Sequence, residues 1–114
     1  MGLDITDAAL EAFLHGDPEP VVLVNLVRIR AGGDEAYRRY GEAVAPLLAR
    51  VGAEVLFSGR AAGALIGDER WDVATVVRYP SRLALAQLVH DPDFAAAAPL
   101  RHAALEAGLL YAFT

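Results

Sequence analysis

Two strand-to-helix transitions within 114 residues constrain the fold of this chain more than any other feature. The first is Val21 to Arg30, VVLVNLVRIR, which passes through Gly32-Gly33-Asp34 into an amphipathic segment. The second is Trp71 to Arg82, WDVATVVRYPSR, a valine-rich run stopped by Pro80, with Ser81 placed to cap a helix. β-Branched runs bounded by glycine or proline read as strands, and Ser or Asp ahead of an amphipathic stretch reads as a helix start. Strands this continuously apolar must be covered on both faces.

The remaining elements fall around these units. Thr6 is positioned to cap a short helix with Ala8, Ala9, Ala12 and Phe13 on its apolar side, ended by Gly16-Asp17-Pro18. Residues 1–19 therefore read as a helical extension lying across a domain of residues 20–114. Asp34 is the expected N-cap of a helix from Glu35 to about Val51, with Tyr37, Tyr40, Val44, Leu47, Leu48 and Val51 on one stripe. Pro46 removes one backbone donor and should kink or loosen that helix, and Gly52 supplies its stop. Ala53 to Arg60 reads as a second strand, and residues 61–70 as a long connection with room for a short strand at Leu65-Ile66. Trp71 to Tyr79 is the third strand and Arg82 to His90 a helix. Asp91-Pro92 opens another helix, whose last turns run to Ala107; Gly108 ends it and Leu109 to Phe113 is the last strand.

The order β-α-β-β-α-β with right-handed crossovers gives an α+β fold, an antiparallel sheet of order 4-1-3-2 with helices on one face. The other face is expected to carry Leu23, Val27, Val73 and Val77, too apolar to face water. A second copy packed sheet to sheet in a symmetric homodimer would cover it. A hydrophobic fraction of 55% fits that reading, since ordinary soluble domains sit near ~45–50%.

Composition also excludes. With no cysteine, the chain has no disulfide, thiolate metal site or cysteine nucleophile. A net charge of −5 with no basic stripe argues against nucleic acid as a partner. All ten basic residues are arginine, which reads as genomic base composition. The N-terminus lacks a basic region ahead of an apolar run, and no apolar run approaches the ~18 residues of a membrane span. The expected location is the cytoplasm, away from membranes.

No nucleophile elbow, zinc-protease motif, phosphate loop or dinucleotide fingerprint is present. His15, His90 and His102 lack ligand spacing, so neither a metal nor a cofactor is expected. The candidate site comes instead from pairing strands one and three. If Asn25 faces Thr75, both lie on one face, flanked by Trp71 and Tyr79, while Arg28 faces Asp72 on the other. Asn25 and Thr75 then either satisfy each other across the strands or form a polar spot in an apolar cavity. Arg82, in the first turn of a helix where a cation is disfavoured, needs a compensating partner: an acidic residue, the Tyr79 ring or a bound anion. Arg101 and Asp72 read as ion-pair residues first and ligand contacts second. Tyr37 and Tyr40 read as core residues whose hydroxyls can reach a cavity.

Several short motifs stand in a fixed order: Asn25 within VLVNLVRIR, Tyr37 and Tyr40 of YRRY, Gly52, and Gly67 before Trp71-Asp72. Tyr79-Pro80-Ser81-Arg82, Asp91-Pro92-Asp93-Phe94 and Arg101 come after them. In order and spacing, from about Val21 to the end, the chain resembles the DUF1330 proteins of the ferredoxin-like, dimeric α/β-barrel superfamily. The resemblance implies a homodimer with a cavity between sheet and partner, and implies no particular reaction. The family often has His-Arg where this chain has Leu100-Arg101, with His102 one place later. Three functions are open at this point. One is a small-molecule-binding homodimer with Asn25, Thr75, Trp71, Tyr79 and Tyr40 in its cavity and Arg101 at the mouth. The second is a cofactor-independent monooxygenase acting on a small aromatic substrate, as in superfamily relatives. The third is a purely structural dimer module.

Overall fold

Strand β1 (Val21–Ile29) is hydrogen-bonded along both edges, to β3 (Val73–Tyr79) on one side and β4 (Leu105–Phe113) on the other. Strand β2 (Glu54–Arg60) completes the antiparallel sheet beyond β3, in the order β2-β3-β1-β4. This is the 4-1-3-2 order expected from the crossovers. The computed structural model describes residues 2–114. Four helices accompany the sheet: α1 (Asp7–Leu14), α2 (Asp34–Arg50), α3 (Arg82–Val89) and α4 (Pro92–Ala104). None is long and apolar enough to cross a membrane.

The β1–β3 register is the one the polar residues pointed to, with Asn25 opposite Thr75 and Val24 opposite Val76. Partners across an antiparallel ladder share a face. Odd-numbered residues of β1 therefore point to one side with Val73, Thr75, Val77 and Tyr79. That side is the helical one. Val21, Leu23, Val77 and Tyr79 pack with Leu10, Leu47, Ala84, Leu85 and Leu88, and Val27, Ile29 and Val73 pack with Ala104 and Leu105.

This reverses the expected facing. Leu23, Val27, Val73 and Val77 lie beneath the helices. The uncovered side instead carries Val22, Val24, Leu26 and Val76 from the central strands and Tyr111 and Phe113 from β4. β1 and β3 are valine-rich on both sides, so alternation says little about which side the helices take. The conclusion that one apolar face lacks cover within the chain survives, with a different set of residues.

The caps obey the local chemistry. Thr6 Oγ1 accepts from the Ala9 amide (3.1 Å), Ser81 Oγ from Ala84 (3.1 Å) and Asp91 from Asp93 (2.9 Å). Asp34 does not cap α2. It is the first helical residue and pairs with Arg60 (3.0 Å), while Gly33 takes the cap position. A side chain on Gly33 would run into the Ala104 carbonyl, so close backbone approach fixes that residue. α2 continues through Pro46 to Arg50, and Gly52 takes a left-handed φ of 74° just beyond it. Leu65 and Ile66 form no strand and are fully exposed on their loop.

The C-terminal third differs from expectation. α4 is a single helix running through Pro99 to Ala104, and β4 begins at once with Leu105. Gly108 is not a helix stop but a strand residue opposite Val27. Alanine-rich sequence at 103–107 favours helix locally, yet burial of Leu105 and Ala107 around exposed Glu106 has the period of a strand. Pairing with β1 outweighs the local preference.

α1 is held to the domain in two ways. Leu10 is buried among Val21, Tyr79 and α3 residues. Arg82 reaches back to donate to the carbonyls of Phe13 (2.9 Å) and Asp17 (2.7 Å), its guanidinium 4.7 Å from the centre of the Phe13 ring. The cation thus sits at the C-terminal end of α1, where the helix dipole and the terminal carbonyls favour it. Among the described residues Arg82 is compensated by these carbonyls and the Phe13 ring, with no acidic partner and no stacking on Tyr79. Gly16 leaves the room: a Cβ there would overlap the guanidinium. Replacing Leu10 with alanine should cost about 2–5 kcal/mol. Arg82→Ala should cost less, about 1.5–3 kcal/mol, as expected for lost hydrogen bonds to a charged group. Gly16→Ala should reproduce part of the Arg82 effect by displacing the guanidinium. Urea unfolding midpoints, with hydrogen exchange of the α1 amides, would test this order.

Candidate functional site

Between the inner face of the sheet and helices α1, α2 and α4 lies a cavity of about 440 Å³. Its walls are largely apolar, with Leu10, Phe13, Leu23, Val27, Leu85 and Leu110 among them. Its polar lining residues are Asp4, Thr6, Asn25, Tyr37, Tyr40 and Arg101. An apolar hollow of this size with a few convergent polar groups is the usual form of a small-molecule site.

Asn25 is at the centre of the sheet, opposite Thr75 on β3 and Leu110 on β4. Its carboxamide has no side-chain hydrogen bond among the described residues, because Thr75 bonds elsewhere, to Ser58 Oγ at 3.2 Å. Cross-strand satisfaction of Asn25 by Thr75 is therefore not what the structure shows. Asn25 thus lines the cavity with a carboxamide that has no side-chain partner among the described residues.

Arg101, on the last turns of α4, is the most constrained polar group of the site. Nη1 donates to the Tyr40 hydroxyl (2.7 Å), and Nη2 to Asp4 Oδ1. The guanidinium lies 5.3 Å from the centre of the Tyr40 ring and 5.4 Å from that of Phe94. Its side chain is 12% exposed, and Nε is buried with no partner. The Asp4 carboxylate also pairs with His102 Nε2 (2.9 Å). The hydrogen bond from His102, with a smaller contribution from Arg101, holds the Asp4 carboxyl below the usual carboxylate range. His102, off the expected His-Arg position, has a role as an anchor for the N-terminal segment. Nothing in the sequence marked Asp4, which is 97 residues from Arg101 along the chain.

Of the six candidate ligand residues, Asn25, Tyr40 and Arg101 line the cavity. Thr75, Trp71 and Tyr79 do not. Tyr79 is in the core, where burial pushes its hydroxyl up to about 12. Tyr37, also raised by burial, lines the cavity and stacks near Tyr40 with ring centroids 6.5 Å apart. Trp71 lies ahead of β3, with the Arg28 guanidinium 4.9 Å from its ring centre.

The expected Arg28–Asp72 ion pair does not form within 4 Å. Arg28 Nε donates to the Arg70 carbonyl (2.8 Å) and lies 3.8 Å from Glu106. Asp72 accepts from the Ile29 amide (2.8 Å) and stands 3.6 Å from Arg70. The regular ladder ends at Val27–Val73, and the Asp72 amide then bonds Val27 O, one residue out of register. On the opposite edge, the β1–β4 register shifts between Arg28 and Ile29. Extrapolating the pairing past this irregularity put the two charges opposite each other; the local backbone does not.

An antiparallel four-stranded sheet, helices on one side, a cavity between the layers and an apolar face left open define a ferredoxin-like α+β protein. The chain belongs to the DUF1330 family, described as a domain of unknown function, whose pattern matches residues 25–112. A protein of unknown function from Rhodopseudomonas palustris is 32% identical, with a TM-score of 0.89 over 97% of this chain and 94% of the other. A dimeric ferredoxin-like protein of unknown function from Thermobifida fusca is 17% identical, with a TM-score of 0.60 over 89% and 95% of the two chains. A cofactor-independent oxygenase from Streptomyces nogalater is 14% identical, with a TM-score of 0.62 over 84% and 92%. The last two likenesses are of fold alone. No curated protein matches the sequence.

The lowered pKa of Asp4 fixes the sign of an acid response. Its contribution to docking the N-terminal segment is fully present above the unfolded carboxylate value, near 3.8, and is lost as pH falls through the lower folded value. Protection of residues 3–10 against hydrogen exchange, corrected for intrinsic rates, should therefore fall only below about pH 4. In Asp4→Asn it should already be weak at neutral pH. Equal protection in both proteins at pH 7 would contradict the assignment.

Proposed function

We propose that this protein is a homodimeric small-molecule-binding protein whose ligand occupies the cavity between the sheet and α1, α2 and α4. The observation that carries this reading is Asn25. A carboxamide without a side-chain partner, at the centre of a sheet and facing an apolar hollow, has its recognition groups to spare. Tyr37, Tyr40 and Arg101 converge on the same hollow. A purely structural module would have reason to fill this space rather than to line it with hydrogen-bonding groups. On this reading residues 20–114 form the binding domain and residues 1–19 an extension, of which the described part, from residue 2, closes one side of the cavity.

The dimer reading rests on the uncovered face of the sheet. Val22, Val24, Leu26, Val76, Tyr111 and Phe113 form a continuous apolar surface with no helix of the chain over it. Contiguous apolar surface of this kind calls for a partner, and dimeric proteins share the fold. In this arrangement two sheets meet back to back in the middle of the assembly, and each cavity lies on the outer, helical side of its own sheet. The pocket is then not between the sheets, as the family resemblance had implied. Cytoplasmic residence is part of this reading; among the described residues no helix is long and apolar enough to cross a membrane.

A catalytic variant of the reading draws on the oxygenase of the same fold, which works without a cofactor. An aromatic substrate would fit a cavity walled by Phe13, Tyr37, Tyr40 and Phe94, with Asn25 and Arg101 as its polar contacts.

Sedimentation should give a dimer at micromolar concentration, and a charge at Val24, as in Val24→Glu, should give a folded monomer. A wild-type monomer would overturn the dimer. Asn25→Leu should abolish binding of a hit from a thermal-shift screen while the dimer stays folded. A ligand-bound structure with density only outside the cavity would leave the structural module as the better reading.

A further inference from the structure

The pairing of Arg101 is incomplete in a specific way. A guanidinium presents two edges to a carboxylate, and the edge formed by Nε–H and Nη2 accepts both carboxylate oxygens side by side. Here that edge is half used. Asp4 meets Nη2 through one carboxylate, and the same carboxylate is drawn off by His102, to which both its oxygens are within 3.0 Å. Nε is left buried without an acceptor. The Asp4 side chain is 52% exposed, on a segment that forms one wall of the cavity, whereas the Arg101 side chain is 12% exposed. Tyr40 accepts from Nη1 and keeps its own proton to donate. Apart from Thr6, Asn25, Tyr37 and Tyr40, the cavity that meets this arginine is lined mainly by apolar residues, Leu, Ile, Val and Phe among them.

Resting on the cavity reading above, we propose that the ligand is a small carboxylate with an apolar or aromatic body, bound through the Nε–Nη2 edge of Arg101 in place of Asp4. The body lies against Phe13, Leu23 and Leu110. The carboxylate satisfies the orphan Nε and takes a hydrogen bond from Tyr40. Asp4 is then an internal stand-in for the ligand's charge. It keeps the buried cation compensated when the cavity is empty and gives way on binding, with the N-terminal segment as the movable wall. Arg101 is needed for charge recognition, and Asn25 contacts the remainder of the ligand.

The test uses the full-length protein with benzoate, phenylacetate, 2-naphthoate and octanoate as probes, each beside its neutral primary amide. Affinity is read by calorimetry, and folding of each variant by circular dichroism. At least one acid should bind about tenfold or more tightly than its amide, the difference expected for a charge-assisted bidentate pair. Asp4→Asn removes the internal competitor and should tighten the acid severalfold while leaving the amide unchanged. Arg101→Gln should erase the preference for the acid and retain amide binding. Should Arg101→Gln fail to fold, tightening of the acid with no change for the amide in Asp4→Asn carries the test alone. Equal binding of acids and amides in the wild type would overturn the carboxylate assignment and leave the cavity reading standing. Binding of acids that is indifferent to Asp4→Asn would overturn the exchange. Failure of all eight probes to bind at millimolar concentration would count against both.

Discussion

Everything in this molecule is referred to β1, a central strand paired along one edge with β3 and along the other with β4, with apolar side chains on both faces. Its pairing with β3 and with β4 sets which residues of three strands share a side. A slip of one residue would exchange the two faces completely. Asn25 would then sit on the open face, and Val24 would look into the cavity. The register thus determines where the site is, as well as how the sheet holds together. It also explains why one polar side chain in VLVNLVRIR is tolerated: its position opens onto a hollow rather than a packed layer.

Arginine supplies most of the long-range polar ties. Arg82 binds carbonyls at the end of α1, Arg30 binds the Leu105 carbonyl (3.0 Å) where α4 passes into β4, and Arg28 binds the Arg70 carbonyl beside Trp71. In each case guanidinium N–H groups donate to backbone carbonyls at the end of an element or in a connection. The exposed ion pairs on α2, Arg38 with Glu35 and Glu42, are of a different kind and contribute little beyond the helix itself. The absence of lysine, attributable to base composition, has a structural side. A lysine in place of Arg82 has no planar fork with which to hold two carbonyls in one geometry. Arg101 uses the same capacity toward side chains, and it alone retains an unpaired buried donor among the described residues.

The elements were legible where local chemistry forces the outcome. Thr6, Ser81 and Asp91 cap as their side chains dictate, Gly52 takes the conformation a helix stop requires, and the Asn25–Thr75 pairing comes from matching polar positions in two apolar runs. Legibility failed where two local preferences were nearly balanced. Residues 105–108 carry Ala107, which favours helix, and Gly108, which looks like a stop; pairing with β1 made them strand. Arg28 and Asp72 were one step beyond the regular ladder, where a single out-of-register hydrogen bond separated them. Asp4 and His102 were invisible as a site because their meeting depends on how α1 and the residues before it fold over α4.

The sequence by itself determined the order of elements, the sheet topology, the β1–β3 register and the existence of an uncovered apolar face. These depend on short-range patterns: turn residues, caps, periodicity and the right-handedness of crossovers. Tertiary structure alone decided which face the helices cover, and therefore on which side of the sheet Asn25 finds its cavity. It also decided that Arg82 serves a helix end and that Arg101 meets Asp4, His102 and Tyr40. The physical reason is that strands apolar on both faces carry no preference for one side. The choice is made by the summed fit of helices whose packing residues are far apart in the chain.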